Sequence, residues 1–206
     1  MPFDEIPCTV GPGTRGEVRA WSEDPLTARA RSVWTGADFL PIAHSFAPGA
    51  EEFVARLALR PGEAMLDVAC GTGNLALPAA RAGARVTGID IASNLIAQAR
   101  LEARTAGLAI AFEVGDAEAL PYGDGQFDTV VTMFGAMFAY RPERAAAELL
   151  RVTRPGGLVA MANWTPEGFV GELLRAHTSL VPPPAGLPSP LAWGDESRFA
   201  HALATG

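Results

Sequence analysis

The chain contains no lysine: all 16 of its basic residues are arginine. That absence removes a Schiff-base lysine, a phosphate-loop lysine and a tyrosine–lysine dehydrogenase pair from consideration. Cysteine is nearly absent as well. Cys8 and Cys70 are too few for a disulfide scaffold and lack metal-ligand spacing, and three scattered histidines do not compose a zinc set. No run of 18 apolar residues occurs, and no basic stretch followed by an apolar core marks the N-terminus, so a soluble, cytoplasmic protein without a membrane partner is expected. A net charge of −7 leaves no broad basic face for nucleic acid. The 206 residues, 49% hydrophobic and 19% charged, suit one globular domain with a sizeable core.

What is present is concentrated between Met65 and Asp90. Met65 to Ala69 is a short apolar run of the kind that forms a buried parallel strand, and Gly71-Thr72-Gly73 follows at once. Glycines there allow a tight turn and close approach of a ligand. Ala76 to Ala82 then carries a helix whose first N–H groups point back at the turn, with Pro78 tolerable in its first turn. A second strand, Val86 to Ile89, ends in Asp90, at the strand end where doubly wound sheets bind ligands. Gly71-x-Gly73-x-x-Ala76, with Asp90 placed 17 residues past Gly73, satisfies a loose dinucleotide fingerprint. The loop by itself therefore leaves NAD, with an oxidoreductase reading, beside other adenosine cofactors. Three further features weigh toward S-adenosylmethionine: Asp67 inside the first strand, Gly115-Asp116-Ala117-Glu118-Ala119-Leu120-Pro121 after a third, and Phe127-Asp128 opening a fourth.

With Leu66-Asp67-Val68-Ala69-Cys70-Gly71-Thr72-Gly73, Gly88-Ile89-Asp90, the Gly115 to Pro121 stretch, Phe127-Asp128 and Arg151 to Gly157 all in order, the chain resembles the class I S-adenosylmethionine-dependent methyltransferases, in the branch of the ubiquinone and menaquinone methylases. The resemblance runs from about Met65 to Trp164. It implies an α/β, doubly wound, Rossmann-like and mostly parallel sheet, S-adenosyl-L-methionine as cofactor, and a small-molecule methyl acceptor. It also implies a cofactor site made of Asp67, Ala69, Gly71, Thr72, Gly73, Asp90, Ile91, Asp116, Ala117 and Met133. In that set Gly71 and Gly73 line the methionine part beside Thr72, and Asp90 takes the ribose hydroxyls. Asp116 takes the adenine amine, the Ala117 N–H an adenine ring nitrogen, and Met133 closes over the cofactor. Carboxylates suit these roles because each offers several acceptor lone pairs. Ala69 stands where some members of the family have a glycine.

Residues 1 to about 30, with scattered proline and glycine and little periodicity, read as an irregular arm. Within residues 31–60, Ala37 to Phe46 and Glu51 to Leu59 read as two helices, which the resemblance implies fold over the cofactor as a lid, and residues 61–206 read as the cofactor-binding domain. Trp34, Phe39 and His44 are candidate contacts to the cofactor, with core packing expected for the two aromatics and a structural or solvent role for His44. Later elements are expected as a helix from Ser93 to Gly107, strands over Leu108 to Val114, Phe127 to Phe134 and Leu158 to Asn163, and a helix from Arg141. Beyond these come a helix capped by Trp164 to Glu167, a proline-rich rim of the pocket over Pro182 to Pro190, and a last helix over Trp193 to Ala204. Only five strands can be counted, whereas the resemblance implies seven. The domain is therefore expected to be C-terminally incomplete, with the fifth strand an apolar edge open to pairing in a homodimer, and an inactive remnant stands as a further reading. The candidate bases His44, Tyr140 and His177 have no motif behind them, so no catalytic base is assigned. Cys70 reads as a small buried thiol.

Overall fold

Five strands form one fully parallel sheet in the order β3-β2-β1-β4-β5. They are β1 (Ala64–Val68), β2 (Arg85–Asp90), β3 (Ala111–Val114), β4 (Phe127–Met133) and β5 (Thr153–Ala162). The computed structural model describes residues 24–36, 40–181 and 187–195. Its helices are α1 (Pro25–Thr35), α2 (Leu40–Ser45), α3 (Ala47–Leu57), α4 (Ala76–Arg81), α5 (Ser93–Thr105), α6 (Pro142–Val152) and α7 (Phe169–Leu180), with 3-10 turns at Ala136–Phe138 and Pro190–Gly194.

β1 lies at the centre and every residue in it is buried. Its side chains alternate between two cores, as the pleat requires. Met65 joins Val86, Phe112 and Val131 under α3, α4 and α5, while Leu66 and Val68 join Ile89, Val130, Leu149 and Val152 under α6. Burial on both faces is the usual condition of a parallel sheet, and each large apolar side chain so buried contributes about 1.5–3 kcal/mol. The stripes expected from sequence are the ones that pack: Ile96, Ala99 and Ala103 on α5, and Ala145, Leu149 and Val152 on α6. The chain runs outward from β1 through β2 to β3, then crosses back to β4 on the other side of β1. That reversal opens a crevice at the carboxyl ends of β1 and β4, the switch point at which such sheets hold ligands.

Several boundaries differ from expectation for local reasons. The irregular arm gives way to α1 within residues 25–30, because Asp24 caps the helix, its side chain accepting from the Leu26 N–H at 2.9 Å, and Pro25 fits the first turn. Of the two expected lid helices, α2 ends at Ser45, with residues 37–39 outside the described part, and α3 runs from Ala47 to Leu57, starting four residues earlier and ending two earlier than expected. β3 begins at Ala111 rather than Leu108, since Gly107 turns left-handed (φ 68°) and the Leu108 N–H is used to close α5 on the Ala103 carbonyl. α7 is capped by Gly168, not by the Trp164 to Glu167 stretch. Of the last expected helix, Trp193 falls in the 3-10 turn at Pro190–Gly194 with Leu191 and Trp193 buried, and residues 196–204 lie outside the described part. Cys8, Phe39 and Pro182 to Pro184 also lie outside it. Among the described residues β5 is an edge strand, as the strand count implied.

Candidate cofactor site

The turn after β1 is built by its own backbone and by one acid. The Gly73 N–H donates to the Cys70 carbonyl (2.9 Å) and the Cys70 N–H to that of Ile89 (3.0 Å). Asp90, at the end of β2, accepts from the Gly71 N–H through Oδ2 and from the Ala92 N–H through Oδ1, each at 2.8 Å. Each carboxylate oxygen keeps a second lone pair for a donor arriving from the cavity. Gly71 has φ 53°, and a Cβ placed on it would meet nothing within 4 Å, so its bare face looks into open space. Gly73 is different. It has φ 91°, and its missing Cβ makes room for the Phe112 ring at 3.2 Å and Ala99 at 3.7 Å.

A cavity of about 210 Å³ opens at this point. It is lined by Asp67, Ala69, Gly71, Thr72, Asp90, Ile91, Asp116, Ala117 and Met133, which is the expected cofactor set with Gly73 outside it. Gly73 serves helix and sheet packing beneath the turn instead of lining the cavity. Asp67 is 1% exposed, and its Oδ2 has no hydrogen-bond partner among the described residues. Burial pushes its carboxyl well above the usual range, against the opposing effect of the Ala76 N–H. A buried, unpartnered acceptor facing a cavity fits a cationic or N–H donor such as the amino group of an amino acid. Burial also raises Asp90, with the Ala92, Gly71 and Ile91 N–H groups acting the other way. Asp116 is oriented from both sides. Its Oδ1 accepts from the Glu118 N–H (2.9 Å) and its Oδ2 from the Thr27 hydroxyl (3.1 Å). Three acceptor carboxylates and an open glycine face thus match the amine, diol and amino group of S-adenosylmethionine.

Residues outside the expected cofactor set complete the wall. Thr27 and Trp34 come from α1, Phe46 from the link between α2 and α3, and Phe134 and Phe138 from the segment after β4. The Asp24-Pro25 capping pair was the signal that could have placed Thr27 on a helix. Trp34 lines the cavity edge-on to Phe138 (5.1 Å) instead of joining the core. Asn74 ties the turn to the helices above it by donating to the Ala43 carbonyl at 2.7 Å. Arg141 pairs with both Asp24 and Glu118, so α1 is fastened to the start of α6. Of the candidate bases, Tyr140 lines the cavity, His177 is exposed on α7, and the His44 side chain lies outside the described part. Cys70 is buried, and burial together with the charges of Asp67 and Asp90 pushes its thiol up, which keeps it protonated. From the proline-rich stretch, no described residue lines the cavity.

A sheet of this order with this crevice defines a Rossmann-like nucleotide-cofactor domain. Residues 66–161 match the methyltransferase domain family. An uncharacterized protein of Mycobacterium tuberculosis is 44% identical over 168 residues, 81% of this chain and 61% of that protein. The demethylmenaquinone methyltransferase of Renibacterium salmoninarum is 33% identical over 159 residues, 70% of this chain and 65% of that protein. The crystal structure of the YcgJ protein from Bacillus subtilis superposes with a TM-score of 0.63 at 21% identity, covering 76% of this chain and 66% of that one, which speaks to the fold. The chain thus spans about 61% of the length of the first of these relatives. It belongs to the class I S-adenosylmethionine-dependent methyltransferases. Among the described residues no helix is long and apolar enough to cross a membrane.

Proposed function

We propose that the protein transfers a methyl group from S-adenosyl-L-methionine to a small-molecule acceptor by in-line displacement. The observation that carries this reading is the convergence of Asp67, Asp90 and Asp116 on one cavity at the switch point of the sheet. When bound, S-adenosylmethionine supplies an electrophilic methyl on a sulfonium that is already a good leaving group. The chain's own residues then position and desolvate. Asp90 takes the ribose hydroxyls on its free lone pairs while its bonds to Gly71 and Ala92 hold the turn. Asp116, fixed by Thr27 and Glu118, accepts from the adenine amine. Asp67 Oδ2 receives the amino group of the methionine part. The apolar wall excludes water from the line of attack, so that orientation supplies most of the rate. Tyr140 lines the cavity and offers a hydroxyl to relay a proton when the acceptor must lose one. That a relative sharing a third of its residues is a demethylmenaquinone methyltransferase supports methyl transfer.

Calorimetric titration of the purified chain with S-adenosylmethionine, S-adenosylhomocysteine and NAD tests the reading. Both sulfur compounds are expected to bind and NAD is not, and Asp90→Ala is expected to abolish the heat. Binding of NAD alone, or an unchanged affinity in Asp90→Ala, would overturn it.

A further inference from the structure

Resting on the methyl-transfer reading, we infer that the cavity selects by charge: through Asp67 it holds the cationic sulfonium cofactor in preference to the neutral thioether left by transfer, so that the spent product is released and inhibits weakly. Asp67, Asp90, Asp116 and Glu118 all line the cavity, and among the described lining residues there is no arginine or histidine. Lysine is absent from the whole chain. The donors that meet these acids are mostly dipoles. Asp90 is held by the Gly71 and Ala92 N–H groups, and Asp116 by the Glu118 N–H and the Thr27 hydroxyl. Glu118 has a full counter-charge in Arg141, which stands outside the lining and is shared with Asp24.

Asp67 is the extreme case. It is 1% exposed, it lines the cavity, and its Oδ2 has no hydrogen-bond partner among the described residues. A charge so far removed from water is poorly screened, and at several ångströms it changes the affinity for a second charge by a factor on the order of ten. Two groups register the field. Burial and the charge of Asp90 push the Asp67 carboxyl well above the usual range, against the Ala76 N–H, and burial together with Asp67 and Asp90 pushes the Cys70 thiol up. Both are the mark of a site short of a cation. S-adenosylmethionine and S-adenosylhomocysteine show this wall the same adenine, ribose and amino acid, and differ by one methyl and one positive charge. Transfer breaks the sulfur–carbon bond with its electron pair left on sulfur, while a lone pair of the acceptor makes the new bond, so the positive charge leaves sulfur with the methyl. Hydrogen bonds to the adenine and ribose are blind to that change. The unscreened charge of Asp67 is not, and its attraction to sulfur is lost once the methyl has moved.

Calorimetry at pH 8 on the full chain measures the affinity of each compound for the native protein, Asp67→Asn and Glu118→Gln, with Leu95→Val as an uncharged change of the lining. The ratio of the two affinities cancels every contact they share, and comparing ratios between proteins cancels the burial of the methyl, worth roughly fourfold. The native ratio is expected to favour S-adenosylmethionine by about thirtyfold, falling to about fivefold in Asp67→Asn and about tenfold in Glu118→Gln, where Arg141 had offset part of the charge. Leu95→Val should stay within about twofold of native. Asparagine keeps the shape and an acceptor, so a role for Asp67 confined to the shared amino group weakens both compounds alike and leaves the ratio unchanged. An unchanged ratio in Asp67→Asn, a native ratio near one or in favour of S-adenosylhomocysteine, or an equal fall in Leu95→Val overturns the inference alone. If Asp67→Asn binds neither compound, an unchanged ratio in Glu118→Gln overturns it and the stated fall sustains it. Failure of both compounds to bind the native chain removes the methyl-transfer reading and this inference together.

Discussion

At Ala69 the backbone sits in the left-handed region (φ 55°), directly after β1 and against Gly135, whose missing Cβ would lie 2.5 Å from that of Ala69. A non-glycine residue there costs about 1–2 kcal/mol, partly offset by about 0.4–1 kcal/mol through the stiffer unfolded chain. The exchange of glycine for alanine at this position is therefore more than a small change of size. Ala69→Gly is expected to stabilise the chain by roughly 0.5–1 kcal/mol, seen as a rise of about 2 °C in the melting temperature. Asp67 carries a cost of another kind. Its folded carboxyl is raised above its unfolded value by burial, so ionisation opposes folding at neutral pH and the penalty fades as pH falls through that raised value. Asp67→Asn should therefore show its largest gain in melting temperature, relative to the native chain, near pH 8. The gap should narrow toward pH 5, while affinity for S-adenosylmethionine drops throughout. A gap that widened with acidity would contradict this account.

Among the elements, α6 does more than cover the sheet. Glu148 and Arg151 clasp each other on its inner side at 2.7 Å, and together they hold the loop on either side of Pro121. The Leu120 N–H donates to Glu148, and Arg151 donates to the Leu120 and Tyr122 carbonyls. Glu148 is 7% exposed, so its hydrogen bonds are desolvated. Glu148→Gln is expected to lower stability by about 2 kcal/mol in urea unfolding, in the range for charged hydrogen bonds. The surface pair of Arg56 and Glu52 on α3, with side chains 77% and 65% exposed, provides the contrast. Glu52→Gln should change stability by less than about 0.5 kcal/mol, because solvent screens that pair.

For the whole molecule, the cofactor end is built by the sheet and roofed by α1, whose one buried residue is Thr27. The roof is fastened through Thr27 to Asp116 and through Asp24 to Arg141. With the rest of α1 exposed or half-buried, it should open before the sheet does. Thr27→Val deletes a donor while keeping the shape. Hydrogen exchange of the α1 amides is expected to accelerate in that variant, with β1 and β4 unchanged, and S-adenosylhomocysteine should slow it less than in the native chain. Uniform acceleration across α1, β1 and β4 would mean that Thr27 supports the whole fold instead.

The sequence by itself determined the sheet and marked most of the residues that meet at the cavity. An apolar strand run, a glycine turn and an acid at the next strand's end are local patterns, each tied to backbone geometry over a few residues, and they place Asp67 and Asp90, whereas Asp116 could be named only through the family resemblance. Only the tertiary structure decided what those residues face. It moved Gly73 from the cavity to the packing of Phe112 and Ala99, gave Ala69 a conformation its side chain resists, and carried Thr27 and Trp34 from the far end of the chain onto the site. No spacing rule encodes contacts such as Thr27 to Asp116, 89 residues apart. They arise because the crossover from β3 to β4 leaves a crevice, and α1, capped by Asp24, lies across it with Thr27, Ala30 and Trp34 on the cavity wall.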